Sequence, residues 1–236
     1  TPERAKTIFE LIIPNDFKAY LKRHGNISLI VDSYSATYPW ELLQDEIRND
    51  VKDSKPICIT SGMIRQLKTD KYRSSIKTVQ KNNALIIADP DLKGFTSQLP
   101  GALKEGQEVA HLLEEQSMEI TTSFKGNHSE IIEKLFSNDY KIIHLSGHGV
   151  FNEDVSKGSG MIIGKDLYLS TREIIQMSST PDLVFVNCCH LGKTSGIAEE
   201  LYQQRYKLAA NIGTQLINNG VKCVVAAGWA VNDDAA

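Results

Sequence analysis

Val184-Phe185-Val186-Asn187-Cys188-Cys189-His190-Leu191-Gly192 is the stretch whose reading decides the fold. Apolar positions run into a pair of thiols, and a glycine follows three residues after the second thiol. Such a run reads as a buried strand stopping at the rim of a sheet, where its last side chain can meet solvent and substrate. Upstream, Ile142-Ile143-His144-Leu145-Ser146-Gly147-His148-Gly149 has the same design. A cysteine at one strand end and a histidine at another, each with glycine close by, is the material of thiol-based hydrolysis.

Outward from these two strands the sequence alternates. Ala84–Ala88 reads as a buried strand closing on the turn Asp89-Pro90-Asp91. A helix is expected over 101–116 with Val109, Leu112 and Leu113 facing inward, then a strand over 118–124. A helix over 129–136 should turn Ile131, Ile132, Leu135 and Phe136 to the core. The histidine strand is expected over 140–145, and Gly164-Lys165-Asp166 should cap a hairpin over 161–169. Ser170-Thr171-Arg172-Glu173 resembles a capping box, and a helix over 208–218, ended by Gly220, leads to a last strand over 221–227. Strands apolar on both faces, alternating with helices, predict a three-layer α/β fold with a mainly parallel central sheet flanked by helices. In such sheets ligands bind beyond the carboxyl ends of the strands, where both motifs fall.

The N-terminal part is less regular. An amphipathic helix is expected over 2–13, with Ile8, Leu11 and Ile12 on one side and a stop at Pro14. Ile27–Val31 reads as a strand, 32–37 as a polar turn, and Pro39 as the first turn of a helix carrying Trp40, Leu42, Leu43 and Ile47. Ile57–Thr60 reads as a short strand, and the charged stretch from Lys68 to Asn83 as an exposed or mobile connection.

The 236 residues are 41% apolar and 23% charged, the composition of an ordinary soluble globular protein. A formal net charge of −3 gives no reason to expect nucleic acid or an anionic membrane as a partner. No apolar run approaches the roughly 18 residues of a membrane span, and the N-terminus carries no secretory h-region. Cys58, Cys188, Cys189 and Cys223 sit in apolar settings that fit reduced thiols in a cytosol, so a cytoplasmic location is expected. No CxxC pair occurs, and His144 and His148 stand in a β-branched run rather than on a helix, so neither metal nor other cofactor is expected. Lacking an initiator methionine and stopping at Ala235-Ala236, the chain reads as a piece of something longer.

If the two motif strands are neighbours, the imidazole of His148 can approach the thiol of Cys189. A free thiol has a pKa of about 8.5, and an adjacent imidazole lowers it enough to give thiolate at neutral pH. Gly149 lets the backbone approach a substrate carbonyl, and its N–H with that of Cys189 could form an oxyanion hole worth roughly 3 kcal/mol per donor. His144 is read as a core histidine.

The two motifs resemble the catalytic motifs of CHAT domains, caspase-like domains of the same clan as caspases, metacaspases and separases. Tyr38-Pro39-Trp40-Glu41-Leu42-Leu43, Ala88-Asp89-Pro90, Leu99-Pro100-Gly101-Ala102 and Ala227-Gly228-Trp229-Ala230-Val231-Asn232-Asp233-Asp234 are similar to further pieces of that family, in family order. The resemblance implies a cysteine endopeptidase with His148 as base and Cys189 as nucleophile, and it gives Cys188 a packing position. Asn187 and Cys188 depart from the commoner Ser-Ala, and His190 stands where an acidic residue is often found. Trp229-Ala230-Val231-Asn232-Asp233 is similar to a separase segment whose aspartate lines the pocket for a basic residue, which implies Asp233 as substrate selector. It also implies a protein substrate and a regulatory protein or fused TPR-type sensor, in some relatives within bacterial defence. Residues 1–26 are then a helical lead-in and 27–236 the caspase-like domain, its C-terminal end missing. A catalytically silent caspase-like signalling or scaffold module is the other reading; a nucleotide-binding domain is disfavoured because no P-loop or G-x-G-x-x-G follows the first strands.

Overall fold

The computed structural model describes residues 2–21, 25–45, 55–151, 159–188 and 205–227. It contains two compact units, Thr1–Lys68 and Thr69–Ala236.

In the first unit, α1 (Pro2–Ile12) and α2 (Asn15–Leu21) precede β1 (Ile27–Val31). Two single 3₁₀ turns, Ser35–Thr37 and Trp40–Leu42, lead on to α3 (Ile57–Thr60) and β2 (Met63–Leu67). The two strands pair in parallel, Ile27 opposite Met63. A small core of Phe9, Leu43 and Ile57 holds the unit, with Ile13, Leu21, Ile27, Trp40 and Met63 against it.

Three expectations change here. The inward residue of α1 is Phe9, whereas Leu11 is 80% exposed and Ile8 is also exposed, because one ring fills the small core better than the aliphatic stripe would. Helix α1 does stop ahead of Pro14, at Ile12, and a separate helix starts at Asn15. The helix after Pro39 is a single 3₁₀ turn, since Leu43 takes an extended backbone; Ile47 lies outside the described residues. Ile57–Thr60 is a helical turn, closed by Ser61 N donating to Ile57 O at 2.8 Å. Burial of Ile57 alone, with Ile59 left 65% exposed, overrides the β-branched composition, and the strand falls one step later at Met63–Leu67.

The second unit is built on a five-stranded, all-parallel sheet of β3 (Asn83–Ala88), β4 (Glu119–Phe124), β5 (Ile142–Ser146), β9 (Leu183–Asn187) and β10 (Cys223–Ala226). Its order is β10-β9-β5-β3-β4. The chain steps from β3 to β4 in one direction and then crosses back to β5, so right-handed crossovers put α4 (Pro100–Glu115) and α5 (His128–Ser137) on opposite faces. Helix α7 (Arg205–Asn218) lies on the α5 side. Between β5 and β9 the chain forms an antiparallel ribbon of β6 (Gly149–Val150), β7 (Gly160–Gly164) and β8 (Leu167–Leu169), then the short α6 (Thr171–Ile175). Sheet and helices thus make the three-layer α/β architecture read from the sequence.

The two faces of the sheet differ in chemistry. Leu85, Ile87, Ile143, Leu145, Val184 and Val186 pack against Ile131 and Leu135 of α5 and Leu208, Ile212 and Leu216 of α7 in one apolar core. The two-residue period sends the intervening residues, His144, Ser146, Phe185 and Asn187 among them, to the α4 face. Helix α4 lies very close to that face. Its buried stripe is Ala102, Gly106 and Ala110, and a Cβ at Gly106 would overlap Ala88 Cβ and stand 3.2 Å from Phe124 Cε1. The expected inner face of Val109, Leu112 and Leu113 is therefore displaced: Leu112 is 57% exposed, because small residues let the helix approach where large ones would hold it off. On α5, Ile131 and Leu135 are buried as expected, and Phe136 is half exposed.

Ser170 and Glu173 form both halves of the expected capping box, and Asn127 caps α5 by accepting from Ser129 N and Glu130 N. The 68–83 connection is mostly exposed but pinned by the buried Val79, by Arg73 N donating to Asn218 O, and by Thr180 N donating to Lys77 O. Among the described residues no helix is long and apolar enough to cross a membrane.

Candidate active site

The carboxyl ends of β3, β5 and β9 meet at the edge where the chain reverses its direction of travel across the sheet, the place where open α/β sheets bind ligands. Strands β5 and β9 are neighbours, Ser146 opposite Asn187, and Gly147 N donates to Asn187 O at 3.1 Å just beyond them. The adjacency on which the chemistry depends is therefore present.

His148 follows β5 and is almost fully buried. Its carbonyl accepts from Ile162 N at 2.8 Å, tying it to β7, and its ring nitrogen Nε2 lies 2.7 Å from Ser97 O. A carbonyl can only accept, so this contact assigns the proton of the neutral ring to Nε2 and makes Nδ1 the basic nitrogen. Ser97 itself is held by the turn after β3. Asp89 takes a left-handed backbone, φ 48°, which aspartate tolerates, and its Oδ1 accepts from Leu99 N at 2.8 Å. Turned with its nitrogen toward Asp89, the Gln98 amide donates to Oδ2 at 3.0 Å. The turn expected at Asp89 is thus also the clamp on the loop that orients His148.

Gly149 is pressed against the end of β9, and a side chain there would collide with the carbonyl of Cys188. It faces Met161 across the ribbon. Because the bond from Ile162 N to His148 O brackets this pair, it belongs to the type whose members exchange no hydrogen bond, and the Gly149 N–H is not spent on the ribbon. Cys188 is fully buried in the apolar core, its thiol 3.7 Å from Leu145 O. Of the residues singled out from the sequence, His148 and Gly149 stand together at this edge; Cys189, His190 and Asp233 lie outside the described residues.

Sequence reasoning missed Glu105. From α4 this nearly buried carboxylate reaches the same edge: Oε2 accepts from Ser146 Oγ at 2.6 Å and from Asn187 Nδ2 at 2.8 Å. Oε1 lies 3.0 Å from His144 Nε2, with no aligned ring N–H hydrogen bond between them. The His144 ring stacks on Phe185, centroids 4.9 Å apart. Burial pushes the Glu105 carboxyl up, but the contacts with His144, Ser146 and Asn187 outweigh it and hold the group below its ordinary range. The signal in the sequence was an acidic residue between Ala102, Gly106 and Ala110, on the helical face that such small residues turn toward a sheet. Among the described residues no three His, Cys, Asp or Glu side chains are grouped to hold a metal ion.

A family model described as CHAT domain matches residues 2–236 of the chain. No curated protein and no solved structure gives a significant match.

Proposed function

The chain belongs to the CHAT-domain family, a caspase-like protease family, and from that premise we propose that it is a cysteine endopeptidase working through His148 and Cys189. The observation that carries the reading is the oriented imidazole: His148 is buried at the carboxyl edge with Nε2–H held on Ser97 O, which puts the basic lone pair of the neutral ring on Nδ1. Cys188 points into the core, which leaves the next position as the thiol for the chemistry.

In this mechanism Nδ1 of His148 takes the proton of the Cys189 thiol, and the thiolate attacks the carbonyl carbon of the scissile bond. The developing oxyanion is received by the N–H groups of Gly149 and Cys189, each worth roughly 3 kcal/mol in the transition state. His148 then returns the proton to the leaving amine, and water hydrolyses the thioester with the same imidazole as base. Gly149 suits this role because its N–H is outside the ribbon pairing and no side chain shields it.

Asp233 is the proposed selector for Arg or Lys before the scissile bond, through a charge-assisted pair. A peptide panel varied only at that position tests it, and preference for Asp or a small apolar residue would refute it. An attached or partner sensor module, a cytoplasmic setting and a role in bacterial defence complete the reading. The overall test is a proteome-wide map of new N-termini with wild type and Cys189→Ala, with and without candidate activators. Cleavages dependent on Cys189 support the peptidase. A cellular effect that survives Cys189→Ala would favour the silent scaffold instead.

A further inference from the structure

We propose that Glu105 is a positioning residue that fastens the carboxyl ends of β5 and β9 to each other and so presets the approach of the imidazole and the thiol. The proposal rests on the dyad reading above. Ser146 and Asn187 are register partners, and each stands two positions before a member of the dyad, His148 and Cys189 respectively. A single oxygen, Oε2 of Glu105, accepts from both, at 2.6 and 2.8 Å. Two donors sharing one anionic acceptor cannot drift apart without stretching a charge-assisted bond, so the carboxylate sets the spacing of the strand ends. His144, beside Oε1 and stacked on Phe185, keeps the carboxylate from swinging away.

The anchorage is rigid on the other side as well. Glu105 sits in α4 one residue before Gly106, where the helix lies closest to β3, and α4 begins after Leu99, the residue clamped by Asp89. One helix therefore carries Glu105 and, at its entry, the Ser97 carbonyl that orients His148. The side chain of His148 and the two strand ends are referred to the same body.

The test reads the dyad without needing a substrate: the rate of Cys189 alkylation by iodoacetamide against pH, followed by peptide mass mapping. Wild type should alkylate with a midpoint below the roughly 8.5 of a free thiol. Glu105→Gln keeps the shape but removes the charge, so the contacts from Ser146 and Asn187 lose their charge assistance. Its midpoint should rise by about one pH unit and its rate at pH 7 fall about tenfold, as expected when reacting groups are displaced by a fraction of an ångström. Ser146→Ala, which leaves the Asn187 and His144 contacts in place, should shift the midpoint in the same direction, and in the Glu105→Gln background it should add little. A folded Glu105→Gln protein with the wild-type midpoint overturns the proposal, even if its Tm has dropped. Should Glu105→Gln fail to fold, a folded Ser146→Ala protein with the wild-type midpoint overturns it equally. A wild-type midpoint near that of a free thiol refutes the dyad itself, an outcome distinct from either.

Discussion

Replacing Gly106 by alanine sets helix propensity against packing. In an isolated helix the change stabilises by about 1 kcal/mol. Here the new methyl overlaps Ala88 Cβ, a carbon fixed to the backbone of β3 that no rotamer change can move, and stands 3.2 Å from Phe124 Cε1. Restoring ordinary carbon contacts of 3.5–4 Å requires α4 to lift by about 1 Å, and overpacking of this kind costs about 1–3 kcal/mol. The net expectation is a loss centred on about 1 kcal/mol, within about 0–2 kcal/mol, in urea unfolding followed by far-UV circular dichroism. The same lift would carry Glu105 away from Ser146 and Asn187, now at 2.6 and 2.8 Å, and beyond the roughly 3.2 Å reach of a hydrogen bond. Folded Gly106→Ala protein should therefore also alkylate Cys189 more slowly than wild type. A variant more stable than wild type, as helix propensity alone would make it, would refute the close helix–sheet packing and the reasoning built on it.

Other perturbations address separate elements. Cys188→Ala should leave peptide cleavage in place while Cys189→Ala abolishes it; loss of cleavage in both would break the division of labour between the thiols. Asn127→Ala removes the cap that accepts from Ser129 N and Glu130 N and should cost about 1 kcal/mol in urea unfolding, with Asn127→Asp close to wild type. Glu105 is held below its ordinary carboxylate range, so it contributes stability above the unfolded value of about 4.3 and loses it as pH falls through the lower folded value. The Tm difference between wild type and Glu105→Gln should accordingly be greatest near neutrality and shrink below about pH 4; a constant difference across that range would contradict the assignment. Gly149→Ala drives a methyl into the Cys188 carbonyl and should lower both Tm and cleavage rate.

The second unit was legible in the sequence because each of its signals is local and strong. Buried strands read as unbroken apolar runs, the Ser170/Glu173 box marks a helix start, and Gly164-Lys165-Asp166 marks a hairpin. The first unit was harder, since its core rests on single residues. Phe9 and Ile57 decide which way α1 and α3 face, and no periodicity announces a choice made by one side chain. Helix α4 misled for the opposite reason: its buried stripe is Ala, Gly and Ala, invisible to a search for large apolar residues, although it brings Glu105 to the site. The two motifs located the edge, but the holder of the His148 ring is a backbone carbonyl at Ser97, which no side-chain pattern can reveal.

The central claim, that His148 activates Cys189, is tested most directly by a peptidyl acyloxymethyl ketone, mixed at the residue preceding the warhead, with the adduct mapped by mass spectrometry. The account requires an adduct on Cys189 in wild type that is lost in His148→Ala. An adduct undiminished in His148→Ala, or found on Cys58 or Cys223 instead, would contradict it.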